Sequence, residues 1–178
     1  MKWLLVGWFI IGTVAVFAIN QNGQLPFDPK LKLTQQIMSL DFEKHLLKVL
    51  PKAHKNAQLA VYHITQGDCF CEWLVQTHQR NIEHWSAGRD IVNIDIRLQH
   101  YPQLANMIPA TPAVVVVDEW GKLIYLGPYA RGRGCFNGSG QIDVYLHKWE
   151  RLSVTGKHSH QPLIDTDASG CYCVTKGD

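Results

Sequence analysis

The 178-residue chain is long enough for one domain with short appendages, and its 46% hydrophobic content is not that of a disordered protein. Its formal net charge of +2 is too small, and too scattered along the chain, to indicate nucleic-acid binding. The sequence contains no P-loop and no Gly-rich dinucleotide motif, so nucleotide chemistry has no support either.

The first 20 residues form an apolar N-terminal segment. Residues 3–19 carry no charged side chain, and about 17 apolar residues is the lower limit for a helix that crosses a membrane. Residues 1–20 therefore predict a transmembrane signal-anchor, with the rest of the chain in the periplasm or another extracytoplasmic space. A cleaved signal peptide is the alternative, with the cleavage signal at residues 16–18.

Helices and strands alternate along the rest of the chain. Residues 21–33 mix Gly, Pro and amide side chains and predict a linker, residues 34–152 predict a single domain, and residues 153–178 predict a polar tail. Apolar periodicity predicts helices over residues 34–50, 74–85, 101–107 and 141–152, and strands over residues 58–65, 91–96, 114–117 and 123–126. This order predicts an α/β fold with a mixed central sheet of about four strands and helices on both faces.

The residues best suited to carry chemistry are five cysteines: Cys69, Cys71, Cys135, Cys171 and Cys173. An exported protein meets oxidising conditions, so disulfides are expected, and an odd count leaves at least one thiol free, reactive or paired between molecules. The first two lie where a predicted strand meets a helix. Unpaired backbone N–H groups and the helix dipole favour the reactive thiolate there.

A cysteine pair at a strand–helix junction, followed by Thr111-Pro112 and the strand Val114–Val117, resembles the thioredoxin superfamily over residues 34–152. With its apolar N-terminus and CYC tail, the chain also resembles an uncharacterised bacterial thioredoxin-like family. The resemblance implies a thioredoxin-like fold in which Pro112 is cis and, together with Thr111, holds the substrate backbone beside the cysteines. One residue separates the cysteines instead of the usual two, which leaves the redox partners and the direction of the reaction open.

The expected function is therefore a thiol–disulfide oxidoreductase, of reductase or isomerase type, that needs no diffusible cofactor. Cys69 is expected to be the exposed nucleophile, because it lies further outside the helix, and Cys71 the resolving thiol. The expected partners are protein or small-molecule thiols and disulfides, together with a membrane or extracytoplasmic electron donor.

Other interpretations of the cysteines stay open. The CFC and CYC segments offer four soft sulfur ligands, which would suit a protein that handles Cu(I) or Zn(II). A thioredoxin-fold binding module with inactive thiols is a third possibility. Cys135 is either an accessory redox residue beside the substrate groove or an inert small side chain. Cys171 and Cys173 form either a second redox pair that serves the first or a detached tail closed on its own bridge.

Overall fold

The computed structural model describes residues 6–14, 24–54, 57–132, 134, 140–154 and 161–176. The strands are β1 (Leu25–Pro26), β2 (Leu59–Thr65), β3 (Ile91–Arg97), β4 (Ala110–Thr111), β5 (Ala113–Asp118), β6 (Leu123–Gly127), β7 (Leu163–Ile164), β8 (Ser169–Gly170) and β9 (Cys173–Val174). The labelled helices are α1 (Lys32–Gln36), α2 (Phe42–Val49), α3 (Phe70–Leu74), α4 (Gln76–Ser86), α5 (Pro102–Ala105) and α6 (Gln141–Val154), with a 3₁₀ turn at Leu98–His100.

The centre of the fold is a mixed five-stranded sheet with the strand order β3-β2-β5-β6-β7. The two outer pairs, β2 with β3 and β6 with β7, are parallel, whereas β5 is antiparallel to both β2 and β6. The mixed α/β sheet is confirmed. It has one strand more than expected, because β7 comes from the polar segment that follows the last helix.

Helices cover both faces of this sheet, as predicted. Side chains alternate along a strand, so Val115 and Val117 of β5 pack into one layer, while Val114 and Val116 pack into the other. The first layer contains the apolar residues of α1, α2 and α5, and the second contains those of α4 and α6. The two layers hold the central strands in place and so fix where each strand ends.

The helix predicted over residues 34–50 is two helices with a turn between them. Met38 and Leu40 fall in this turn, and both are exposed. Their side chains therefore bury no apolar surface that would stabilise one continuous amphipathic helix. The backbone turns through bonds from the Ser39 N–H to the Gln36 carbonyl and from the Phe42 N–H to the Ser39 carbonyl. The apolar periodicity of this stretch therefore belongs to two shorter helices.

The predicted N-terminal anchor is wrong. The described part of the first 20 residues is a helix over residues 6–14. Within the described residues, no helix combines the length and the apolarity that a membrane crossing needs. The extracytoplasmic location that rested on this anchor loses its basis, and the cleavage signal at residues 16–18 lies outside the described residues.

The C-terminal segment is built into the fold, which its polar composition does not indicate. Its three short strands, β7, β8 and β9, pair with β6, β1 and β4 respectively. Ala168 and Tyr172 are buried in the same apolar layer as α1 and α2. This segment therefore crosses the domain and brings its two cysteines to the end of β4.

Candidate functional site

The site begins where the central strand β2 turns into α3. Gly67 takes a left-handed conformation with φ +90°, which lets the chain turn sharply after the strand. Cys69 is the N-cap residue of α3, with extended backbone angles of φ −108° and ψ 119°, and Cys71 lies in the first turn. The predicted position of the cysteine pair at a strand–helix junction is confirmed.

The cysteine pair is bonded to the C-terminal segment. Cys69 bonds to Cys173 with an S–S distance of 2.04 Å, and Cys71 bonds to Cys171 at 2.13 Å. The pairing is antiparallel, because the first cysteine of each CxC segment bonds to the second cysteine of the other. The disulfide expected between Cys69 and Cys71 is not formed, and neither is the bridge within the tail.

The sulfur atoms are crowded and shielded from solvent. Cys69 and Cys71 are each only 7% exposed, so the prediction that Cys69 is exposed is wrong in this state. Both cysteines are bonded to the tail, whose strand β9 pairs with β4. The Sγ atoms of Cys69, Cys71 and Cys173 all lie within 4.8 Å of one another. A thiolate formed at one of them therefore has a neighbouring sulfur within easy reach.

The segment before Pro112 lies against the cysteines. The Thr111–Pro112 peptide bond is cis, as predicted, and the Thr111 carbonyl oxygen is 3.8 Å from Cys69 Sγ. Thr111 is also the partner of Cys173 in the antiparallel pairing of β4 and β9. Thr111 and the adjoining Pro112, both expected to line a substrate groove, are thus next to the Cys69–Cys173 bridge, and the tail occupies that position.

Hydrogen bonds fasten the tail independently of its disulfides. The Thr175 N–H donates to the Pro109 carbonyl at 3.0 Å, and the Thr175 hydroxyl donates to the Ile108 carbonyl at 2.6 Å. The hydroxyl of buried Tyr172 donates to the Ala130 carbonyl at 2.7 Å. Tyr172, which the sequence analysis did not single out, lies between the two tail cysteines and therefore helps to hold both in place.

Two carboxylates beside the pair are already engaged. The Glu72 carboxylate accepts backbone N–H bonds from Gln66 at 2.6 Å and Gly67 at 3.0 Å. Asp68 forms an exposed ion pair with Lys176 of the tail at 3.4 Å. Because both negative charges are partly offset, they disfavour a nearby thiolate less than two unpaired carboxylates would.

A buried carboxylate fixes the start of the tail. Asp165 is 2% exposed and receives two hydrogen bonds from the Arg131 guanidinium, which also binds exposed Asp167. The Asp165 carboxylate raises the pKa of Arg131 through these hydrogen bonds.

We expect Arg131→Ala to lower the free energy of unfolding by about 2–3 kcal/mol, because it leaves a buried carboxylate without its charged donor. Asp167→Ala is the matched control. It removes only an exposed partner of the same guanidinium and should cost less than about 1 kcal/mol. Urea unfolding of both variants at neutral pH measures the difference, and equal losses would contradict this role for Asp165.

The remaining predicted site residue, Cys135, lies outside the described residues. Two aromatic side chains that the sequence analysis did not assign lie on α3 beside the cysteines. Phe70 is 70% exposed and Trp73 is 63% exposed, and their ring centroids are 5.9 Å apart. They form an apolar surface next to the bridges, which we call the aromatic pair.

Comparison with known proteins places the chain in a protein family. The model of a domain of unknown function, DUF6436, matches residues 38–175 and so spans both CxC segments. Among solved structures, the crystal structure of a hypothetical protein from Sinorhizobium meliloti 1021 is similar, with a TM-score of 0.48 and 16% sequence identity. That similarity covers 70% of this chain and 82% of the other. No curated protein matches the chain.

Proposed function

We propose that this chain, which belongs to the DUF6436 family, is a thiol–disulfide oxidoreductase with a thioredoxin-like fold. One arrangement carries the proposal. Cys69, at the start of a helix, is bonded to Cys173, whose strand pairs with Thr111 next to the cis peptide bond. A substrate strand trapped on Cys69 would make the same two interactions, one covalent and one through its backbone. The tail therefore lies where such a substrate would bind.

The reaction starts from the reduced protein. The Cys69 thiolate attacks one sulfur of a substrate disulfide, a new S–S bond forms, and the other substrate sulfur leaves as a thiolate that takes up a proton. A second protein thiolate then attacks Cys69 Sγ and releases the remaining substrate thiol. The substrate gains two electrons and two protons, and the protein keeps a disulfide. An external dithiol reduces that disulfide and closes the cycle.

The structure favours Cys173 as the second thiol. It is bonded to Cys69 in the oxidised protein, whereas Cys71 is bonded to Cys171. This assignment replaces the sequence-based expectation that Cys71 resolves the intermediate. The second bridge can accept a further pair of electrons. Its Cys71 sulfur lies within 4.8 Å of the Cys69 and Cys173 sulfurs, so the two bridges are close enough to exchange.

Turnover with a dithiol tests the proposal directly. With dithiothreitol as electron donor, we expect the full chain to speed the reduction of a disulfide-bonded protein at least tenfold over dithiothreitol alone. Cys69→Ser should abolish this activity, since it removes the attacking thiol. Cys135→Ser is the control and should keep it. A wild-type rate equal to that of dithiothreitol alone would overturn the proposal.

The aromatic pair offers a surface for protein substrates, because exposed aromatic side chains are enriched at binding hot spots. We expect Phe70→Ala combined with Trp73→Ala to raise KM for a protein disulfide about 5–10-fold, the range of one modest contact. Reduction of a small aromatic disulfide should change less than twofold. Trp120→Ala is the control. Trp120 is similarly exposed, at 61%, but it follows the far end of β5 from Pro112.

A rise in KM for both substrates would show that these substitutions act on the cysteines rather than on substrate docking. An unchanged KM for the protein substrate would remove the aromatic pair from recognition.

A further inference from the structure

We infer that the four cysteines, once reduced, form a tetrathiolate site for Zn²⁺. Besides transferring electrons, the same sulfur atoms then bind a metal ion. The four ligands are Cys69, Cys71, Cys171 and Cys173. Zinc prefers four sulfur or nitrogen ligands in a tetrahedron, and a site closed by four protein ligands serves structure rather than hydrolysis.

The distances between the sulfurs suit this geometry. Zn–S bonds of about 2.3 Å in a tetrahedron place the sulfurs about 3.8 Å apart. The sulfurs of Cys69, Cys71 and Cys173 already lie within 4.8 Å of one another, and Cys171 is one bond from Cys71. The Cα atoms of the bonded pairs are 6.0 and 5.5 Å apart. The bonded sulfurs, now 2.04 and 2.13 Å apart, must separate to about 3.8 Å, so an ion can enter only after both disulfides are reduced.

The ligands stay together after reduction because the tail is held by more than its bridges. Strand β9 pairs with β4, and the Thr175 backbone and hydroxyl bind carbonyls of residues 108 and 109. Tyr172, between the two tail cysteines, is buried and donates a hydrogen bond to the Ala130 carbonyl. These contacts do not involve sulfur. Breaking both disulfides therefore leaves the two CxC segments facing each other.

The carboxylates near the four sulfurs already have other partners, so the sulfurs are the groups available to bind a metal ion. Glu72 accepts backbone N–H bonds, and Asp68 pairs with Lys176, so the two nearest carboxylates are occupied. Cys69 and Cys71 are 7% exposed, and burial keeps water from competing for the metal.

The redox balance is simple. Two equivalents of a dithiol reduce the two bridges, each bridge taking up two electrons and two protons while each dithiol closes to its own disulfide. Zn²⁺ then replaces the thiol protons as four Zn–S bonds form. Binding therefore releases protons and tightens as the pH rises.

Titration of the full chain tests the site. The protein is reduced with a phosphine under anaerobic conditions, freed of metal and titrated with Zn²⁺ against a chromogenic chelator. We expect one Zn²⁺ per reduced chain and none for the oxidised chain. Cys171→Ser and Cys173→Ser should each weaken binding at least 100-fold, whereas Cys135→Ser, the control, should bind like the wild type. Co²⁺ in place of Zn²⁺ should show the visible absorption of a tetrahedral thiolate complex.

Alkylation of the wild-type chain gives a second readout that does not depend on variants folding. Bound Zn²⁺ should protect Cys69, Cys71, Cys171 and Cys173 from iodoacetamide, compared with the metal-free reduced chain. The inference is overturned if the reduced chain binds no Zn²⁺, if the tail variants bind as tightly as the wild type, or if bound Zn²⁺ leaves these four cysteines as reactive as in the metal-free chain. Dithiol-dependent turnover is measured without metal, so failure of the zinc site and failure of the proposed enzyme are distinguishable.

Discussion

Removing both disulfides is expected to cost the oxidised protein about 7 kcal/mol of unfolding free energy, whereas removing either one alone should cost only about 2 kcal/mol. The reason is that the two bridges close almost the same loop, with sequence separations of 104 and 100 residues. Either bridge closes a loop of about 100 residues, worth about 4.7 kcal/mol in chain entropy. Once one bridge exists, the other closes only a ring of a few residues.

Guanidinium unfolding of three variants measures this non-additivity. Each bridge is removed as a pair, Cys69→Ala with Cys173→Ala or Cys71→Ala with Cys171→Ala, so that no free partner thiol remains. The third variant combines all four substitutions. The reduced wild-type protein is the control, and its free energy of unfolding should match that of the variant with all four substitutions. Two equal and additive losses would contradict the shared loop.

The second large effect concerns trapping. In Cys173→Ser, the covalent complex between Cys69 and a substrate should accumulate at least tenfold over the wild type. The Cys71–Cys171 bridge still occupies the two sulfurs nearest to Cys69 and Cys173, so neither is free to release the substrate. Cys171→Ser is the matched control, since it also removes a tail cysteine but leaves Cys173 in place. Cys69→Ser should trap nothing.

Non-reducing electrophoresis and mass spectrometry of the trapped species measure this outcome. Stronger trapping by Cys71→Ser than by Cys173→Ser would restore Cys71 as the resolving thiol and contradict the role proposed for the tail.

Much of the sheet could be predicted from the sequence because the central strands are continuous runs of buried apolar residues. Residues 59–64 and 114–117 are all buried and, apart from His63, apolar, as expected for strands that pack against helices on both faces. The site could be placed for a related reason. A Cys pair after one such strand and a Thr-Pro before another lie at the same end of antiparallel neighbours. Both predictions rest on short sequence patterns, the apolar runs and the motifs beside them, and the packing of the folded domain agrees with these patterns.

The tail could not be predicted in the same way. Its strands are two residues long, too short to show any period, and they exist because β1, β4 and β6 offer unpaired edges. Disulfide partners depend on this long-range pairing, and four cysteines allow three connectivities. Two signals were present in the sequence. The CxC spacing is the same in both segments, as antiparallel cross-linking requires, and Tyr172 is a large side chain in a polar stretch.

The same dependence on long-range packing explains why the stretch predicted as one helix is two helices. Local periodicity over residues 34–50 does not show that Met38 and Leu40 face solvent, because that depends on where the sheet lies. Tertiary packing decides such boundaries.

The separation of about 100 residues between bonded cysteines also sets an order of events during synthesis. At 5–20 residues per second, Cys69 and Cys71 leave the ribosome about 5–20 s before their partners are made. Disulfides form within seconds to hours, so under oxidising conditions the first two cysteines can bond to each other or to Cys135 before the tail exists. The native bridges then require exchange, and the chain reaches its final connectivity only after Cys173 has been added.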